Sequence, residues 1–293
     1  MKKIVILSVV IPILFFAFSC SKKGTTEPAY ITPEVSFSDE TVHLNSAVEV
    51  EYSFTVSEEL KGKLPPKLVV FVHFLDPSGN IVFQDDHPLP KESSQLSPGD
   101  KVSYTRFLFI PSDFPLGQVK VKLGLYNKDG RILLDGVDEE GDRAYTVANL
   151  KVVPEDLNKL PIYKDGWYPV EYQVAKTPSS RIEQWSWTKK EATFSFLNPG
   201  KDSTLYLCAH SPVIELEGPQ KVKLMLNGKE LVSFEVISAE RFWKKIELPK
   251  DIMGEGKWLN FTLKVNRTFV PAKVGTGDDT RELGLQVFHL CLK

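Results

Sequence analysis

Apolar and polar residues alternate with period two through much of the chain, and turn residues punctuate the alternation. The run Val48, Glu49, Val50, Glu51, Tyr52, Ser53, Phe54 changes character at every step, and Val119, Val121, Leu123 and Leu125 repeat the pattern. Successive side chains of a strand point to opposite faces, so this spacing predicts strands buried on one face. Residues 68–75 are almost continuously apolar, as a strand at the centre of a sheet would be. Pro65-Pro66, Asp76-Pro77-Ser78-Gly79, Ser97-Pro98-Gly99-Asp100 and Asn127-Lys128-Asp129-Gly130 supply the turns between them. No long stretch has the 3.6-residue period of a helix. Residues 30–153 are therefore expected to form roughly seven or eight antiparallel strands, the rhythm of an immunoglobulin-like sandwich without its paired cysteines.

The patterning lapses at residues 154–161, between two prolines, which marks a linker. Strand signals then resume. Ala192, Phe194 and Phe196 alternate, residues 205–208 and 258–265 read as short strands, and residues 221–237 read as a hairpin. Asn227-Gly228 offers that hairpin the two positive-φ residues a type I′ turn needs. Residues 284–292 close the chain as a strand expected to lie inside its sheet. The fold class is thus all-β, with a second, jelly-roll-like sandwich over residues 162–293.

The first residues carry an address. Lys2 and Lys3 precede an uncharged run at residues 4–18, which ends in Ala17-Phe18-Ser19-Cys20. Basic, apolar and small residues in that order read as a signal peptide, residues 1–19. The run is shorter than the roughly 20 residues that span a bilayer, and Pro12 interrupts it. A cysteine directly after a small residue resembles the lipobox of bacterial lipoproteins. That resemblance implies that Cys20 is acylated, becomes the new amino terminus and attaches the chain to a membrane. Residues 20–29 read as the lipidated tether, small and polar. Ser21 in place of aspartate implies, by the same resemblance, the outer membrane rather than the inner in a Gram-negative cell.

A second resemblance rests on four motifs in order: Gly166-Trp167-Tyr168-Pro169-Val170-Glu171, Trp185-Ser186-Trp187, Leu226-Asn227-Gly228 and the stretch Asp279-Thr280-Arg281-Glu282-Leu283-Gly284-Leu285. Together they resemble a β-sandwich domain found beside bacterial glycosyltransferases and envelope polysaccharide proteins, similar in outline to galactose-binding-like jelly rolls. The family pattern has arginine directly before the tryptophan, whereas here Arg181 lies four residues before Trp185. The first sandwich resembles companions of such proteins through Val72-His73-Phe74-Leu75-Asp76, Gln84-Asp85-Asp86-His87-Pro88 and Gly124-Leu125-Tyr126.

Composition narrows the chemistry. A net charge of -2 from 36 basic and 38 acidic residues provides no field to gather nucleic acid. Beyond Cys20 there are only Cys208 and Cys291, too few for a disulfide scaffold and wrongly spaced for zinc. These two either close a loop of about 80 residues, worth roughly 4 kcal/mol, or sit as buried thiols. There is no glycine-rich phosphate loop, His-Glu-x-x-His, nucleophile elbow or Cys-x-x-Cys, so neither a cofactor nor a catalytic residue is expected. His73 and His87, with Asp76, Asp85 and Asp86 nearby, are expected to be hydrogen-bonded structural groups in preference to metal ligands. Aligning Gly130 with the glycine of a calcium loop puts Leu125 at the first ligand position, so the acidic stretch around residues 127–142 reads as a solvated turn.

Sugar rings present C–H faces that stack on aromatic rings, which makes Trp167, Tyr168, Trp185 and Trp187 candidate ligand contacts, with core packing as the alternative for each. Asp279 and Arg281 either grip sugar hydroxyls or clasp each other. The expected function is a non-catalytic, lipid-anchored envelope protein that binds a polysaccharide or an envelope partner. The alternatives are an assembly lipoprotein that contacts other proteins, and a carbohydrate-active enzyme with a dispersed carboxylate pair.

Overall fold

In the computed structural model, residues 28–173 and 182–293 are described. The leader, Cys20 and Arg181 lie outside the described residues. The alternating run at residues 48–54 becomes part of a strand that buries Val48, Val50, Tyr52, Phe54 and Val56 and turns Glu51 and Ser53 outward. In chain order the strands are β1 (Ile31–Phe37), β2 (Thr41–His43), β3 (Ser46–Val56), β4 (Val69–Leu75), β5 (Ile81–Gln84), β6 (His87–Pro88), β7 (Lys101–Ile110), β8 (Gly117–Asn127), β9 (Gly130–Ile132) and β10 (Tyr145–Val153). They make a sheet of order β1-β3-β7 and a larger one of order β2-β10-β8-β4-β5, with β6 on β4 and β9 on β8. Only the short β2 runs parallel to its neighbour, β10. The two sheets enclose one apolar core, with Tyr52 and Phe54 facing Val72, Phe74, Leu123 and Leu125.

The remaining strands are β11 (Ile162–Tyr163), β12 (Glu171–Gln173), β13 (Glu183–Trp187), β14 (Glu191–Leu197), β15 (Ser203–His210), β16 (Gln220–Leu226), β17 (Lys229–Val236), β18 (Phe242–Leu248), β19 (Trp258–Val265) and β20 (Gln286–Leu292). They form two five-stranded antiparallel sheets, β11-β14-β19-β16-β17 and β12-β13-β20-β15-β18. Asn227 and Gly228 hold φ of 50° and 82° in the β16–β17 turn, the conformation their identities predicted. β20 lies at the centre of its sheet, as expected. The core holds a stacked pair, Phe194 on Phe261 at 5.1 Å, with Phe196 edge-on at 6.0 Å. Burying each such ring contributes about 2–3 kcal/mol of transfer free energy. The helices α1 (Lys250–Met253) and α2 (Pro271–Val274) are single turns. The molecule is all-β, a tandem of sandwiches.

The outer face of β3 and β7 rests on the outer face of the β12-β13-β20-β15-β18 sheet. Ala47, Phe107 and Phe109 meet Tyr206, Trp243 and Cys291 in a small apolar cluster of their own. Phe107 lies 6.0 Å from Tyr206 and 5.9 Å from Trp243. Polar contacts flank the cluster. The Tyr206 hydroxyl donates to Glu49 Oε1 at 2.6 Å, Lys245 Nζ reaches the same oxygen at 2.9 Å, and Lys293 pairs with Asp39.

Candidate ligand-binding face

The site begins at a glycine. Gly166 holds φ of 85°, and a Cβ there would stand 2.0 Å from the carbonyl oxygen of Glu191. Only glycine takes this left-handed turn against the β14 backbone. The turn sends the next two aromatics to different surroundings. Trp167 packs against the core, edge-on to Tyr163 at 4.8 Å and Phe194 at 6.2 Å, and its Nε1 donates to the Thr193 carbonyl at 2.8 Å. Tyr168 instead donates its hydroxyl to the Glu282 carbonyl at 3.1 Å, and its ring lies 5.1 Å from the Arg281 guanidinium.

β12 pairs with β13 so that Glu171 stands opposite Trp185. Trp185 Nε1 donates to Glu171 Oε2 at 3.2 Å, while Arg281 Nη2 lies 2.7 Å from Glu171 Oε1. Arg281 also donates from Nε at 2.9 Å and from Nη2 at 2.6 Å to Asp279 Oδ2, and Asp279 Oδ1 accepts the Arg281 backbone N–H at 2.9 Å. The result is a chain from Trp185 through Glu171 and Arg281 to Asp279, with Tyr168 against the guanidinium. The hydrogen bonds from Arg281 hold the Asp279 carboxyl below the usual carboxylate range, and the same pairing raises the arginine's affinity for its proton. Of the two alternatives for this pair, the clasp is the arrangement present.

The structure thus brings together Tyr168, Trp185, Asp279 and Arg281. It leaves Trp167 with the core and Trp187 against Phe269, 5.9 Å away. Glu171, which ends the Gly166–Glu171 motif, was not singled out in the sequence as a site residue. Its role depends on the β12–β13 register, for which the sequence offers no signal beyond the motif itself.

Beside this chain the aromatic surface continues. Trp185 lies 5.9 Å from Phe288, and the Arg241 guanidinium sits 3.7 Å above the Phe288 ring. Arg241 in turn donates from both Nη atoms to Glu183, at 3.0 and 2.9 Å. Beyond Phe288 the surface descends into a cleft of about 1040 Å³ between the two sandwiches.

The other sequence candidates take structural partners. Cys208 and Cys291 are unbonded and buried: Cys208 stands opposite His289 and Cys291 opposite Tyr206, a diagonal placement on neighbouring strands. Of the two alternatives for these residues the arrangement present is a pair of thiols, each pushed up to about 12 by burial. His73 bonds Gln84 at 2.9 Å, and His87 is held between the Asp85 carbonyl and the Tyr104 hydroxyl, both at 2.7 Å. In the acidic turn, Lys120 and Lys122 both pair with Glu140.

No protein-family model and no curated protein matches the chain. Among solved structures it is similar to a CARDB domain from Pyrococcus furiosus, at 18% identity and a TM-score of 0.29, covering 44% of this chain and 100% of that one. It is similar to a carbohydrate-binding module of a multidomain xylanase from the hindgut metagenome of Trinervitermes trinervoides, at 9% identity and a TM-score of 0.26, covering 46% of this chain and 95% of that one. It is also similar to the alkylpurine DNA glycosylase of Pseudomonas fluorescens, at 11% identity and a TM-score of 0.29, over 42% of this chain and 30% of the glycosylase.

Proposed function

We propose that this chain is a lipid-anchored protein of the bacterial cell envelope, attached through Cys20 to the outer membrane where one exists. It binds a glycan on the outer face of its second sandwich and carries out no reaction on it. The observation that supports this reading is the Trp185–Glu171–Arg281–Asp279 chain with Tyr168 beside it. An aromatic surface stacks on the C–H face of a sugar, and a paired arginine and carboxylate next to it supply donors and acceptors for the hydroxyls. Each side chain of the chain is held by another, so the surface is set before a ligand arrives and little ordering entropy opposes binding. The same pairing argues against catalysis. Asp279, held ionised by Arg281, has no proton to give near neutral pH, and a general acid needs one.

Polysaccharide pull-down and glycan-array binding of the mature chain test the reading. Trp185→Ala is expected to weaken binding by roughly tenfold or more, while Trp167→Phe leaves it unchanged. Equal binding by wild type and Trp185→Ala would overturn the stacking surface. For the anchor, labelled palmitate is expected in the wild-type chain and not in Cys20→Ser; incorporation by both would remove Cys20 as the attachment point.

A further inference from the structure

The cleft between the sandwiches has a property that neither sandwich has alone. Its floor is aromatic: Phe107 and Phe109 come from β7, Trp243 from β18, and Phe288 and His289 from β20. Its walls carry one arginine–carboxylate fork each. On the first sandwich, Arg106 of β7 donates from Nε to Asp85 Oδ2 at 2.8 Å and from Nη2 to Asp85 Oδ1 at 2.6 Å, joining the edge strand β7 to the residue just after the edge strand β5. On the second, Arg241 forms the equivalent pair with Glu183.

We propose that an uncharged oligosaccharide lies in this cleft, against the ring edges of its aromatic floor and held between the Asp85–Arg106 and Glu183–Arg241 forks. The proposal rests on the glycan-binding reading above, and adds a place that uses both sandwiches and a charge class for the ligand.

The charge class follows from the forks. Each guanidinium is already neutralised by its own carboxylate in a two-point pair, so neither fork carries a net charge, and the exposed Asp113 adds a negative one to the first wall. A hydroxyl donates and accepts, and finds both needs met at the Glu183–Arg241 fork, whose carboxylate is half exposed. A phosphate or uronate would have to displace a carboxylate that already occupies the arginine's planar edge, and would meet that carboxylate's repulsion. The forks differ in which nitrogens they engage: Asp85 takes Nε and Nη2 of Arg106, and Glu183 takes both Nη atoms of Arg241, whose guanidinium lies 3.7 Å above the Phe288 ring.

Size points to several sugar units. The volume of about 1040 Å³ lies at the upper end of small-molecule sites, roughly 300–1,000 Å³. The contacts at the junction, Phe109 on His289 and Tyr206 on Glu49, set the spacing of the walls.

The test is calorimetric titration of the mature chain with neutral probes (maltoheptaose, cellohexaose, mannohexaose and xylohexaose) and with an anionic one, hexagalacturonate. At least one neutral probe is expected to bind, and hexagalacturonate at least tenfold more weakly. Arg106→Gln and Arg241→Gln are each expected to weaken binding tenfold or more. Ser112→Trp, at an exposed position on the rim outside both forks, narrows the cleft and guards against loss of fold in the arginine variants. Loss of binding in Ser112→Trp, with an unchanged melting temperature, supports the cleft. Binding that is abolished by Trp185→Ala but unaffected by Arg106→Gln, Arg241→Gln and Ser112→Trp would overturn the cleft and leave the glycan-binding face standing. No binding to any probe would remove both. Tighter binding of hexagalacturonate would overturn the charge class.

Discussion

The imidazole of His289 lies flat on the ring of Phe109 across the junction of the two sandwiches, with centroids 3.7 Å apart and planes within 8°. Trp243 stacks on the same imidazole at 5.9 Å. A charged ring in this aromatic setting would lose its hydration with no partner to replace it, so the junction favours the neutral histidine.

Stability should therefore fall in mild acid. Burial holds His289 down to about 3, from an ordinary value of 6.5. Between those two values the unfolded chain binds a proton that the folded chain does not, so stability decreases as pH drops through that window and is flat above it. One histidine contributes at most about 1.4 kcal/mol per pH unit there. His73, His87 and His210 are lowered by burial as well and act in the same sense. Urea midpoints at pH 7.5 and pH 5 are expected to differ, the latter being lower, with a smaller difference in His289→Phe. An unchanged difference in that variant would remove His289 from the effect.

Tyr206→Phe should loosen the junction. It deletes the 2.6 Å hydrogen bond to Glu49 while leaving Glu49 paired with Lys245. A hydrogen bond to a charged acceptor contributes about 1.5 kcal/mol or somewhat more, and urea unfolding is expected to show a loss of that order. Equal stability would mean that water replaces the contact without cost.

Gly166→Ala should be among the most damaging single changes. The added carbon would meet the backbone of Glu191 and Ala192 at 2.0 and 2.7 Å, at a φ of 85° that alanine disfavours. Neither β14 nor the turn can yield without disturbing the core beneath Trp167, so a loss of about 3 kcal/mol or more is expected. Thermal unfolding of the variant checks it; a melting temperature within a degree or two of wild type would contradict the close approach.

The thiols should be silent until the chain unfolds. Cys208 and Cys291 are buried and pushed up to about 12, and the thiolate is the reactive form. In a Cys20→Ser chain at pH 8, iodoacetamide is expected to label neither cysteine under native conditions and both in denaturant. An intact mass two hydrogens lower without reductant would establish a disulfide instead.

Local pattern determined the class of this protein. Alternation along β3 and β8, the apolar run of β4 and the Asn227-Gly228 turn each depend on neighbours in sequence, so residue identity was enough to read them. The Asp279–Arg281 clasp was legible as one of two alternatives because its members are two residues apart. Tertiary structure decided which aromatic faces where and what stands beside it. Trp167 and Trp185 are the same residue type in similar contexts, and only the Gly166 turn and the β12–β13 register send the first to the core and place the second beside Glu171. The Asp85–Arg106 fork, the Tyr206–Glu49 bond and the His289–Phe109 stack join positions on separate strands or separate sandwiches. Side-chain periodicity tells a strand which face is buried; the partner that covers that face is chosen by register and docking, which no local stretch of sequence encodes.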